Sequence, residues 1–110
     1  MLASEDWQSP ADFHVVVDAL ANPPCVVVSG EIDLVTVAPF RDALSEAAEA
    51  AASGTIIVDF ARVTFMGSTG IRELVRALES LSRIEIHGAT PIVRRALETA
   101  AIGHGLVIAD

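Results

Sequence analysis

The chain has 110 residues, with fifteen acidic against seven basic side chains and a formal net charge of −8. That length suits one domain with a single core, and 52% hydrophobic residues exclude a disordered acidic segment. The negative balance argues against nucleic acid, which is bound by cations displacing counterions, and against an anionic membrane surface.

Every basic residue is Arg. Without Lys there is no Schiff base, no Lys nucleophile and no P-loop lysine. The single cysteine, Cys25, has no partner for an internal disulfide and reads as a small hydrophobe in an apolar run, in keeping with a reducing compartment.

Residues 1–12 carry Pro10 and three acids without periodicity. They read as a loosely ordered leader, with Trp7 placed to tuck against a domain spanning 13–110. The start, Met1 to Asp6, lacks the basic and apolar regions of a signal peptide. No apolar run approaches the ~20 residues that span a bilayer. The expected location is cytoplasmic, with no membrane insertion.

From Phe13 the pattern alternates, with Phe13, Val15, Val17 and Ala19 on one face, which predicts a strand. Asn22-Pro23-Pro24 signals a turn, and Cys25 to Gly30 predicts a second strand, so the two form an antiparallel hairpin. Val37, Phe40, Leu44, Ala47, Ala48 and Ala51 then recur at helical spacing, with Thr36 as N-cap and Gly54 as stop. Thr55 to Phe60 reads as a buried strand, apolar on both faces.

A second helix carries the stripe Ile71, Leu74, Val75, Leu78 and Leu81. Its polar face holds Arg72, Glu73, Arg76 and Glu79, with Glu79 and Arg83 four apart. Arg83 to His87 predicts a strand ended by Gly88. Thr90-Pro91 starts a third helix with apolar positions Ile92, Val93, Ala96, Leu97 and Ala100. Leu106 to Ile108 is a last strand. Alternating helices and strands imply parallel pairing with right-handed crossovers. The fold class is α/β, a single small domain in which a mixed sheet packs with helices.

No catalytic constellation emerges. His14, His87 and His104 are scattered and lack metal-ligand spacing. Met66-Gly67-Ser68-Thr69-Gly70 falls one glycine short of the nucleophile-elbow pattern, and no dinucleotide fingerprint occurs. The segment nevertheless follows a strand and opens a helix, where free backbone N–H groups gather. Two readings stay open for it. Ser68 or Thr69 serves as an N-cap, or the position suits a phosphate.

The run Ile56 to Ile71, IIVDFARVTFMGSTGI, resembles the signature of STAS domains of bacterial anti-sigma factor antagonists. A second stretch, Val28-Ser29-Gly30-Glu31-Ile32-Asp33, is similar to the family's Gly-Glu-Leu-Asp before a helix, and the likeness runs from Phe13 onward. The resemblance implies a STAS-type fold and a protein that binds an anti-sigma factor, itself a serine kinase, so that a sigma factor is released. It implies Ser68 as phosphoacceptor, with phosphorylation abolishing binding until a phosphatase restores it, in stress or sporulation-type regulation. It places Asp33, Gly67, Ser68, Thr69 and Gly70 at the partner surface, although Asp33 reads equally well as a helix-start acid.

No active site and no cofactor are implied for the chain itself, since ATP and magnesium belong to the kinase. One departure stands out: the family commonly has Asp before the phosphorylated Ser, and here it is Gly67. That favours, as alternatives, a STAS scaffold or transporter-complex subunit that takes no phosphate. A small nucleotide-binding domain is the remaining reading, opposed by the missing Lys and phosphate-loop glycines.

Overall fold

The computed structural model describes residues 13–100 and 105–109. The expected leader, including Trp7, and His104 lie outside them. Five strands form one sheet in the order β1-β2-β3-β4-β5, with β1 His14–Asp18, β2 Cys25–Ile32, β3 Thr55–Met66, β4 Arg83–His87 and β5 Leu106–Ala109. Strands β1 and β2 are the antiparallel hairpin, and β2 to β5 run parallel. Helices α1 (Val37–Ala50), α2 (Ser68–Ala77) and α3 (Pro91–Thr99) make the three crossovers.

Because strand order follows chain order, right-handed crossovers place all three helices on one face. Side-chain alternation agrees. Val26 and Val28, Ile56, Val58 and Phe60, and Ile84 and Ile86 are buried in one cluster with Phe40, Leu44, Leu74, Val93 and Leu97. Each such side chain contributes roughly 1.5–3 kcal/mol by leaving water. Phe40 of α1 meets Phe60 of β3 with ring centroids 6.1 Å apart. Cys25 sits half-buried among the odd-numbered positions on the opposite face. Burial, then Asp59 and Asp18, push its thiol up, away from the reactive thiolate.

Several expectations need correction. β3 runs to Met66 rather than stopping at Phe60, because two bulges keep it paired with β2. Val27 pairs with Asp59 but Ser29 with Arg62, and Gly30 pairs with Val63 but Glu31 with Phe65. Each shift inserts one extra residue in β3 and turns the next side chains, so that Val63 and Met66 reach the core. Within β3, Ile57 is half-buried, so the strand is not apolar-packed on both faces.

Thr36 occupies the N-cap position of α1 but makes no capping bond to the helix. Its hydroxyl donates to Glu31 O at 2.7 Å and accepts from Asp33 N at 2.9 Å. α2 ends at Ala77, so Leu81 is buried beyond the helix, and Val75, within it, is 46% exposed and leaves the core stripe. The expected Glu79–Arg83 pair does not form on a helix, because Arg83 lies on β4 and meets Glu85 at 2.9 Å. Glu73, read as a solvent-facing position, is buried, for α1 packs over it. Thr90 does cap α3, accepting from Val93 N at 3.4 Å, while Ile92 is 62% exposed and leaves the core stripe.

Candidate functional site

The parallel strands β2 and β3 end side by side, and each leads into a helix. In open α/β sheets this carboxyl edge is where binding sites form. Ile32 pairs with Met66, and Ile32 O accepts from Gly67 N at 2.9 Å, so the two outgoing loops are locked together.

The first loop is shaped by Asp33. Its Oδ1 accepts from Val35 N at 2.9 Å and Thr36 N at 3.1 Å, and its backbone O accepts from Val37 N at 2.9 Å. Asp33 thus closes the turn that starts α1, the local work expected of a short acid whose side chain mimics a backbone turn. The turn holds Leu34 and Val35 outward, 79% and 86% exposed.

In the second loop, Gly67 is the N-cap of α2 in extended conformation, with φ −87° and ψ 176°, and Ser68 is the first helical residue. This corrects the reading of Ser68 or Thr69 as the cap. Gly70 N donates back to Gly67 O at 3.0 Å. The hydroxyls of Ser68 and Thr69 make no hydrogen bond among the described residues. Ser68 is exposed and Thr69 half-buried.

Asp33, Leu34, Val35, Gly67, Ser68 and Thr69 line one shallow, open depression. The Phe65 ring, 46% exposed, flanks it near Gly67. Of the residues singled out in sequence, the fold therefore brings together Asp33, Gly67, Ser68 and Thr69. Gly70 is different. It is buried, and a Cβ there would meet Ile32 Cγ2 at 2.7 Å, so it seats α2 on β2 rather than lining the depression. Among the described residues, no cluster of His, Cys, Asp and Glu could hold a metal. No helix among them is long and apolar enough to cross a membrane.

A family model described as "Mlab, STAS domain" matches residues 15–108. The chain belongs to the STAS domain family. No curated protein matches the sequence. Among solved structures, an anti-sigma factor antagonist from Mycobacterium paratuberculosis is similar at 25% identity, covering 90% of this chain and 88% of that one, with a TM-score of 0.75. The anti-sigma factor antagonist SpoIIAA in its unphosphorylated form shares the fold at 24% identity, covering 88% of this chain and 89% of its own, with a TM-score of 0.72. The Bacillus cell fate determinant SpoIIAA in its phosphorylated form shares it at 24% identity, with 88% and 92% covered and a TM-score of 0.62.

Three features of this STAS domain were missed in the sequence. Leu34 and Val35 drew no notice, and only two apolar residues in a row between strand and helix signal a displayed pair. Phe65 read as part of the motif, while the second bulge turns it outward. Glu73 sits between α1 and α2, its Oε2 4.0 Å from Arg41 Nη1 and its Oε1 3.6 Å from Arg76 Nε. Both separations are longer than hydrogen bonds, and the buried Oε1 has no hydrogen-bond partner. Glu73, Arg41 and Arg76 line a cleft between the two helices, further along them from the depression.

Proposed function

We propose that this STAS domain is an anti-sigma factor antagonist, a binding protein without chemistry of its own that docks an anti-sigma factor and thereby frees a sigma factor. The observation that carries the reading is the depression itself. An unpartnered hydroxyl, Ser68, stands beside two displayed apolar side chains, Leu34 and Val35, and a turn acid, Asp33. Exposed aliphatic residues set beside polar groups on one small surface are the composition of a protein contact. The resemblance in the sequence motifs and the similar fold of anti-sigma factor antagonists support the same role.

In this reading the switch is phosphorylation of Ser68. The anti-sigma factor acts as the serine kinase: the Ser68 hydroxyl takes the γ-phosphoryl group of ATP, its proton is released and ADP leaves. ATP and magnesium belong to that partner. The product carries about −1.5 to −2 charges at neutral pH. Placed within an apolar contact, that charge must be desolvated for docking, which opposes the complex. A phosphatase resets the surface, and the protein acts in the cytoplasm.

Calorimetric titration of the cognate anti-sigma factor tests the docking face. Leu34→Asp and Val35→Asp are expected to weaken binding at least tenfold without lowering thermal stability, since both side chains are exposed. Unchanged affinity in both variants would remove the docking face from the proposal. Incubation with the kinase and ATP, followed by mass spectrometry, is expected to place phosphate on Ser68. An active kinase that leaves Ser68 unmodified would remove the switch. Gly67 favours the second reading, a STAS scaffold or transporter-complex subunit that takes no phosphate. A stable co-purifying partner unrelated to sigma regulation is its signature.

A further inference from the structure

The outer face of α2 contains a charge without a counter-charge. Arg72 is exposed and makes no ion pair or hydrogen bond among the described residues. On a helix a side chain meets those three and four positions away. For Arg72 these are Thr69 and Ser68 on one side, Val75 and Arg76 on the other. None is acidic, and Arg76 is already directed to the buried Glu73. The nearest turn of α2 therefore offers Arg72 a partner only if Ser68 or Thr69 becomes charged.

We propose that Arg72 is the intramolecular receiver of a phosphate on Ser68, holding it against the outer face of α2. This deepens the switch proposed above and rests on it for its biological setting, though not for its test. The geometry favours the pair in three ways. Ser68 and Arg72 are both helical, four residues apart, so their Cβ atoms lie about 5–6 Å from each other. Side chains on a helix lean toward its N-terminus, so the long Arg72 stem can reach back over the turn that carries Ser68. The acid would stand N-terminal to the base, the better order for an i, i+4 pair.

Arg72 also matches phosphate chemically, with a planar fork of N–H donors and a charge that persists at every relevant pH. Gly67 at the adjoining cap brings no side chain to compete, and the free N–H groups of the first turn add donors on the same side. The remaining charged group at the depression is Asp33, whose Oδ1 is engaged by Val35 N and Thr36 N. Arg72 selects the dianion over the monoanion, so it keeps the phosphate fully charged at neutral pH and fixes where that charge points.

The test needs neither kinase nor partner. Phosphoserine is incorporated at position 68 during synthesis, and its phosphorus resonance is titrated in the full chain and in Arg72→Gln, Arg72→Lys and Asp33→Asn versions. A free phosphoserine loses its second proton near pH 6. Arg72 is expected to lower that midpoint by about half a pH unit, a threefold change in the protonation constant. Arg72→Gln should abolish the shift and Arg72→Lys should restore part of it. Adding Asp33→Asn to both backgrounds should leave the effect of Arg72→Gln unchanged. Because Arg72 is exposed and unpaired, the unphosphorylated Arg72→Gln protein should melt with the wild type, which separates this role from a structural one. Equal midpoints with and without Arg72→Gln would overturn the proposal, whatever the fate of the kinase experiment.

Discussion

Gly70 on α2 and Ile32 at the end of β2 are in such close contact that a Cβ on the glycine would lie 2.7 Å from Ile32 Cγ2 and 3.1 Å from Met66 Cγ. The first turn of α2, and with it Ser68, is seated on the sheet by the absence of a side chain.

Gly70→Ala should therefore destabilise the domain even though alanine is the better helix former by about 1 kcal/mol. Ile32 is fully buried and β-branched, so its methyl cannot swing aside, and overpacking of this kind costs about 1–3 kcal/mol. A net loss of about 1 kcal/mol, a fall in Tm of about 4–8 °C, is expected in thermal melts. A variant as stable as the wild type would show that the first turn of α2 adjusts freely.

Gly67, three residues earlier, is open to change. Its φ of −87° suits any residue, and a Cβ would meet Phe65 Cε2 at 3.5 Å and Ile32 O at 3.7 Å, ordinary contacts. Gly67→Asp, which restores the residue common in the family, should fold normally and gain a few tenths of a kcal/mol by capping α2. The same carboxylate would stand next to Ser68 and repel a phosphate there. Combined with phosphoserine at 68, Gly67→Asp should raise the second protonation midpoint, opposite in sign to the effect of Arg72. A melting temperature below that of the wild type would contradict the capping argument.

How far these elements were legible depends on whether the deciding physics is local. The bounds of β4 were readable because the alternation in Arg83-Ile84-Glu85-Ile86-His87 is regular and Gly88 ends it. Thr90-Pro91 announced α3 for the same reason, a cap and a first-turn proline side by side. The length of β3 was not readable, since its two bulges break alternation between Asp59 and Phe65 and are held only by pairing with β2. Ser68 could be placed at a helix start from its neighbours. Its companions Leu34 and Val35 could not be seen as displayed, because an apolar residue in a turn is buried or exposed according to what packs over it. Glu73 carried the opposite error, a charge read as solvated until α1 covered it.

On β4, Glu85 hydrogen-bonds Arg83 Nε at 2.9 Å and lies 3.3 Å from His87 Nε2. Arg83 first, and His87 second, hold its carboxyl below the usual carboxylate range. A depressed folded value means the stabilisation is fully present above the unfolded value of about 4.3 and is lost as pH falls through the folded one. Wild type should therefore melt above Glu85→Gln at pH 7, and the difference should shrink and vanish at acid pH once the carboxyl is protonated in both folded and unfolded states. A gap in melting temperature that persists at that acid pH would mean that the carboxylate charge is not its source.

Glu73 gives the prediction with the least obvious sign. The residue is only 7% exposed, yet Oε1 has no hydrogen bond and the two guanidiniums stand at 3.6 and 4.0 Å. The cost of taking a carboxylate from water is several kcal/mol, and attraction at those separations offsets only part of it. Arg41 and Arg76 are both substantially exposed and would return to water if the acid were removed, so no buried charge would be orphaned. Glu73→Leu keeps the side-chain bulk beside the apolar Leu44, Ala48 and Ala77 that line the cleft. Urea unfolding should place this variant about 1 kcal/mol above the wild type, in the range seen when hydrophobic residues replace buried ion pairs. A loss of more than about 1 kcal/mol would instead mean that attraction to the two arginines outweighs the desolvation of Glu73, and that the carboxylate is the tie holding α1 to α2.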